Sequence, residues 1–191
     1  MGKLTGPSMA ELLLKQYAGL KDDEHGEDTP SRWVSTLDEM TACRDSDNDH
    51  MKSCVKWKMF PTNSNEMIIV RDITFVSLCN HHVLPFVGTA HIGYVPQHYH
   101  AGLSKFARVV RHYARQLQIQ ERLTLNIADY LYNALEPRGL AVVMSAEHMC
   151  MTLRGVQAPG TLTTTSDMRG VFIDHRKTAK QEFMEFIGAK R

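Results

Sequence analysis

Apolar and polar positions change period twice along this 191-residue chain. Between Met9 and Leu20, the residues Leu12, Leu13, Leu14, Tyr17 and Leu20 recur at helical spacing, and Gly19 with the following charges ends the run. Thr29-Pro30 reads as a second helix start, with Thr29 as cap and Pro30 at the first helical position. That helix runs through Trp33, Leu37 and Met40 to Ala42, and the aperiodic polar stretch from Cys43 to Ser53 reads as a loop. At Met67 the period falls to two. Ile69, Arg71, Ile73, Phe75 and Ser77 alternate with Ile68, Val70, Asp72, Thr74 and Val76, in a β-branched composition that favours a strand.

Phe86 to Val95 reads as the antiparallel partner of that strand. Two helices follow. One runs from Ser104 to Leu117 with Phe106, Val109, Val110 and Tyr113 facing a core, the other from Glu121 to Leu135 with Leu125, Ala128, Leu131 and Leu135. Pro137 and Gly139 break the second. Leu140–Leu153 is then predicted as a long strand, Thr161–Phe172 as its partner, and Lys177–Ile187 as a terminal helix. Such an order specifies an α+β fold, an antiparallel sheet with helices packed on one face, preceded by N-terminal helices. The natural division is a helical segment over 1–60 and a sheet domain over 61–191.

Composition narrows the function classes. A net charge of +1 supplies no broad electrostatic footprint for nucleic acid or an anionic membrane. The chain has no long apolar run and no secretory-type N-terminal stretch, so the expectation is a cytoplasmic protein. Four cysteines in such a chain point to metal or catalysis before disulfides. Cys43 and Cys54 lack histidine neighbours at ligand spacing and read as incidental.

Cys79 and Cys150 are different. Cys79-Asn80-His81-His82 and His148-Met149-Cys150 together offer two thiolates and three imidazoles, donors that zinc accepts. Cys79 and His82, three apart at a strand end, can meet through a turn. His148 and Cys150, two apart, are expected to share one strand face. Cys79, His82 and Cys150 would leave a fourth position for water, with His81 and His148 for proton transfer. A closed structural site using His81 or His148 as fourth ligand fits the same residues, and buried thiols beside ordinary histidines are the plain alternative. Elsewhere, Ser104, Lys105 and Arg108 open a helix and could grip phosphate, or merely cap and solvate it. Glu121 in a first helical turn suits the helix dipole. It also suits the paired N–H groups of guanine. Arg154 could add a phosphate contact or simply be exposed.

These residues lie in longer blocks that resemble type I GTP cyclohydrolase: Ser77 to Gly88, His91 to Pro96, Gly102 to Lys105, Leu117 to Thr124 and His148 to Gln157. The resemblance runs from Arg71 to Phe172, and more weakly from Thr29 to Trp33. It implies a T-fold (tunnelling fold) catalytic domain in a homodecamer of two pentameric rings, with active sites at subunit boundaries. It implies a zinc-dependent conversion of GTP and water to 7,8-dihydroneopterin triphosphate and formate, feeding folate, biopterin or 7-deazaguanine pathways. By the same resemblance Cys79, His82 and Cys150 are zinc ligands, and His81 and His148 handle protons. Glu121 holds guanine, with Gln120 and the backbone of Ile119 beside it. Ser104 lies near the ribose and assists proton transfer, and Lys105, Arg108 and Arg154 contact triphosphate. Related nitrile reductases use a nucleophilic cysteine without this trio. Two departures stand out: Ser35 where many members carry a basic residue, and the segment His98-Tyr99-His100-Ala101.

Overall fold

A computed structural model describes residues 5–43, 55–174 and 178–188. The chain forms two compact units, 1–42 and 43–191, the first boundary falling ahead of the division at residue 60. In the first unit, α1 (Gly6–Ala18) starts a turn before the apolar repeat because the Thr5 hydroxyl accepts from Ser8 N–H, and Gly19 closes it at φ 68°. Helix α2 (Thr29–Met40) is led by Asp28 rather than Thr29. Thr29 is already helical, and its hydroxyl donates back to the His25 carbonyl at 3.4 Å.

The second unit is built on a five-stranded sheet of β2 (Ile68–Cys79), β3 (Pro85–Val95), β5 (Leu117–Gln118), β6 (Gly139–His148) and β7 (Leu162–Gly170), in the order β5-β2-β3-β6-β7. All pairs are antiparallel except β2 with β5, so the sheet is mixed. Two short strands, β1 (Met59–Pro61) and β4 (Tyr99–Ala101), form a separate ribbon. Helices α3 (Ser104–Ala114) and α4 (Gln120–Leu135) follow β4 and β5. The expected helix to Leu117 stops at Ala114, because Leu117 and Gln118 pair with Leu78 and Cys79 instead. Strand β2 carries one bulge, between Val70 and Ile73, where Asp72 takes φ 61° and its N–H donates to His91 Nδ1 at 3.2 Å.

Alternation on the strands gives the sheet two apolar faces. On one, Phe75, Phe86, Ala90, Ile92, Leu140, Val142 and Met144 meet Phe106, Val109 and Val110 of α3 and Leu123, Ile127 and Leu131 of α4. The buried stripe of α4 is Leu123, Thr124, Ile127, Ala128 and Leu131; Leu125, expected inside, is exposed. Starting the helix at Gln120 sets this rotation, since the side chains three and four residues apart from Gln120 share its inward face.

Helices do not lie on one face alone. The terminal helix α6 (Ala179–Gly188) sends Phe183 into the reverse face with Val95, Ala141, Val143 and Phe172. Gly93 makes room for it, since a Cβ there would stand 2.6 Å from the Phe183 ring. No helix among the described residues is long and apolar enough to cross a membrane. The predicted loop from residue 44 to Ser53, together with Cys54 and Lys177, lies outside the described residues.

Phe183→Ala should lower the unfolding free energy by about 3–5 kcal/mol, the usual cost of emptying a buried aromatic site. Urea unfolding followed by tryptophan fluorescence measures it. An unchanged midpoint would place α6 outside the cooperative core.

Candidate metal centre

Strand β2 ends at Cys79, and the chain reverses at once. The Cys79 carbonyl accepts from Val83 N–H at 2.8 Å, and Cys79 N–H donates to the Leu84 carbonyl at 2.8 Å. Inside this closed turn Val83 sits at φ 54°, a strained conformation for a β-branched residue. His81 and His82 are carried on its exposed side, their ring centroids 6.3 Å apart.

Strand β6 reaches the same end of the sheet with His148 opposite Phe86. The two rings stack at 4.6 Å and within 2° of parallel. The strand stops there. Met149–Thr152 forms a single helical turn, α5, so Cys150 does not share a strand face with His148 as its spacing suggested. The turn curls the chain back over the strand end instead. As a result the sulfurs of Cys79 and Cys150 and a ring nitrogen of His148 all lie within 4.8 Å of one another.

His81 is close by, its Nδ1 3.8 Å from the Cys79 sulfur. His82 stands outside the cluster, with Nε2 3.4 Å from Nη1 of Arg154.

The chemistry of this set favours a cation. Burial, reinforced by the neighbouring Cys79, pushes the Cys150 thiol above its ordinary range. Burial lowers the His148 imidazole, opposed by the charge of Glu121 in the first turn of α4. Two thiols side by side, next to an imidazole, become good donors once a divalent ion takes up the charge of their thiolates. The donors present therefore fit zinc, and three protein ligands with an open position are what a catalytic zinc site needs.

Gln120 also reaches this corner, but its side chain is only 1% exposed and is committed to protein partners, with Oε1 2.8 Å from His148 Nε2. The Ile119 carbonyl accepts from Leu123 N–H, at the start of α4.

The candidate phosphate group is elsewhere. Phe106, two residues after Ser104, stacks on Tyr94 at 5.4 Å. Tyr94 lies eight residues along β3 from Phe86, which is about 26 Å of extended strand. Ser104, Lys105 and Arg108 thus begin α3 at the far end of the sheet from the sulfurs within one chain. Arg154 is at the near end. Its loop is braced by Glu147, whose Oε1 accepts from the Thr152 hydroxyl and Gly160 N–H, both at 2.9 Å. Those bonds hold the Glu147 carboxyl below its ordinary range. Phe86, Glu147, Thr163 and Thr165 escaped the sequence reading, because only strand register brings them to the histidine corner.

A mixed sheet with helices behind it and a thiol–imidazole cluster at the strand ends defines a T-fold protein with a metal centre. The sequence profile of GTP cyclohydrolase I matches residues 8–188. GTP cyclohydrolase 1 2 of a Nostoc species is 44% identical over 187 residues, spanning 96% of this chain and 85% of that protein. GTP cyclohydrolase 1 of Aquifex aeolicus is 46% identical over 176 residues, 92% of this chain and 91% of its own. That of Methylococcus capsulatus is 46% identical over 163 residues, 85% and 86% respectively. The chain belongs to the GTP cyclohydrolase I family.

Glu147→Ala should free the 152–160 loop and speed tryptic cleavage after the exposed Arg154 several-fold, with cleavage elsewhere unchanged. Mass spectrometry of the early digest reads it. Equal rates would mean the carboxylate does not brace the loop.

Proposed function

We propose that this chain is a zinc-dependent GTP cyclohydrolase whose catalytic centre is completed across a subunit boundary. The reaction of its family turns GTP and water into 7,8-dihydroneopterin triphosphate and formate. The observation that carries the zinc assignment is the approach of the Cys79 and Cys150 sulfurs to within 4.8 Å of each other, with the His148 ring nitrogen, the proposed proton carrier, inside the same radius. When bound, zinc supplies a Lewis acid that makes water nucleophilic near neutral pH. Cys79 and Cys150 would hold it, with His82 as third ligand. The His82 ring is exposed, beside His81 and 3.4 Å from Arg154, on the turn that carries Cys79.

His148 and His81 then serve as proton carriers. Water adds to C8 of the purine, and N7 takes a proton from an imidazole as electrons move onto it. The C8–N9 bond breaks with a proton delivered to N9, and a second water releases C8 as formate. The ribose opens and shifts to a 2-keto sugar. The freed amine condenses with that ketone, returning one water, and the net uptake is one water. Glu121, whose charge acts on His148, would accept the paired N–H groups of guanine and so aim C8 at the centre.

The triphosphate needs cations. Arg154 is at hand, but Lys105 and Arg108, with Ser104, sit at the other end of the sheet. A nucleoside triphosphate does not span that length, so a second subunit would supply them, as in the decamer that the sequence resemblance implies.

Purified protein given GTP should release formate and dihydroneopterin triphosphate in equal amounts, and a chelator should stop both. Cys150→Ala should lose zinc and turnover together. His82→Ala should lose zinc, and His148→Ala should keep it; the reverse result would move the third ligand to His148.

Mixing separately inactive Cys150→Ala and Lys105→Ala subunits, after dissociation and reassembly, should restore activity at about one site in four. No recovery from reassembled mixed oligomers would return both residues to a single subunit.

A further inference from the structure

Gln120 presents an unusual arrangement for a residue beside a catalytic cluster. Its amide nitrogen lies 3.2 Å from the Met144 carbonyl, 2.9 Å from the Thr163 carbonyl and 3.1 Å from Thr165 Oγ1. Two N–H groups therefore face three oxygens.

Flipping the amide would set a carbonyl oxygen against two backbone carbonyls that have no proton to give. The hydroxyls leave no escape. Thr124 donates its one hydrogen to the main-chain carbonyl of Gln120 at 2.9 Å, so Thr165, 2.7 Å away, must donate to Thr124. Thr165 can then only accept from Gln120. Each donor in this ring is spent, and the orientation of the amide follows from counting protons.

Gln120 Oε1 is consequently the atom that meets His148 Nε2, at 2.8 Å. An amide oxygen only accepts. The hydrogen between them must belong to the histidine.

We propose that Gln120 is a positioning residue that holds His148 as its Nε2–H tautomer, so that Nδ1 is the ring atom offered for proton transfer. Phe86, stacked on the imidazole, sets the ring plane, and Gln120 sets which nitrogen is protonated. With its Nε2–H spent on Gln120, the ring offers Nδ1 alone and in one direction, which is what a repeated proton relay requires. On this view Gln120 does not read guanine with its side chain, since no polar atom of the amide is left over. The role deepens the cyclohydrolase reading and rests on it for the chemistry, though not for the tautomer.

The test is ¹⁵N-histidine NMR on the full-length protein under reducing conditions at about pH 8, above the ordinary imidazole range. A His148→Gln variant assigns the resonance. In the wild type, Nε2 should show the protonated shift and Nδ1 the unprotonated one, with or without zinc. Gln120→Leu should give averaged shifts from mixed tautomers. The same variant should lower kcat about 10- to 100-fold, within the span of a misplaced acid–base group, with KM for GTP changed less than about twofold.

An Nδ1–H tautomer in the wild type overturns the proposal without need of any variant. So does a pure Nε2–H tautomer in Gln120→Leu, or a raised KM with kcat intact. If the wild type shows the Nε2–H tautomer but never turns over GTP, the positioning role stands and the cyclohydrolase reading falls.

Discussion

Two backbone pairs, Leu78 with Leu117 and Cys79 with Gln118, tie the end of β2 to the residues just ahead of α4. Asn80 N–H extends the tie to the Gln118 carbonyl at 2.9 Å. The pairing is parallel and only two residues long, yet it decides where α4 begins. Since α4 begins at Gln120, that residue points inward at the strand ends and Glu121 points outward beside them. The same helix phase exposes Leu125 and buries Thr124, which completes the hydroxyl ring around the amide. Without that edge pairing, thiols, imidazoles and the carboxylate would have no reason to share one corner.

Polar burial at this corner runs against the usual preference of a core, and the fold answers it by satisfying each group. Gln120 and Thr124 are buried but hydrogen-bonded: carbonyls of β6 and β7 accept from the Gln120 amide, and the Thr124 hydroxyl bonds the Gln120 main-chain carbonyl and the Thr165 hydroxyl. The thiols are the exception. Burial and mutual proximity raise Cys150, and the turn that presents Cys79 contains the strained Val83. Unfavourable local terms collected where chemistry is expected are supported by the dense core of Phe86, Ile92, Leu140 and Met144 just below.

The far end of the sheet obeys a different constraint. Tyr94, Phe106 and Trp57 make an aromatic group there, with Trp57 Nε1 donating to Tyr130 Oη at 3.1 Å. This group fixes the start of α3 and its basic residues. Because β3 is rigid and extended, it keeps those residues apart from the sulfurs as firmly as it keeps the sulfurs together.

Much of this was legible in order along the chain. Period-two alternation marked β2 and β3, period 3.6 marked α3 and α4, and the Cys-x-His-His and His-x-Cys pairs marked the candidate metal donors, because each signal depends on neighbours a few residues away. Short elements were not legible. Two-residue β5, the ribbon of β1 and β4 and the helical turn holding Cys150 exist only through long-range partners, and a window of sequence does not contain those partners. The amphipathic pattern likewise did not reveal that α6 covers the reverse face, which required Gly93 to stand opposite Phe183. By itself, the sequence determined which donors this protein owns and on which kinds of element they lie. Only the tertiary structure decided that His148 joins the two sulfurs, that Gln120 faces His148 and that Lys105 lies far away. Distances between elements are set by strand register and helix rotation, and both emerge from packing the whole sheet at once.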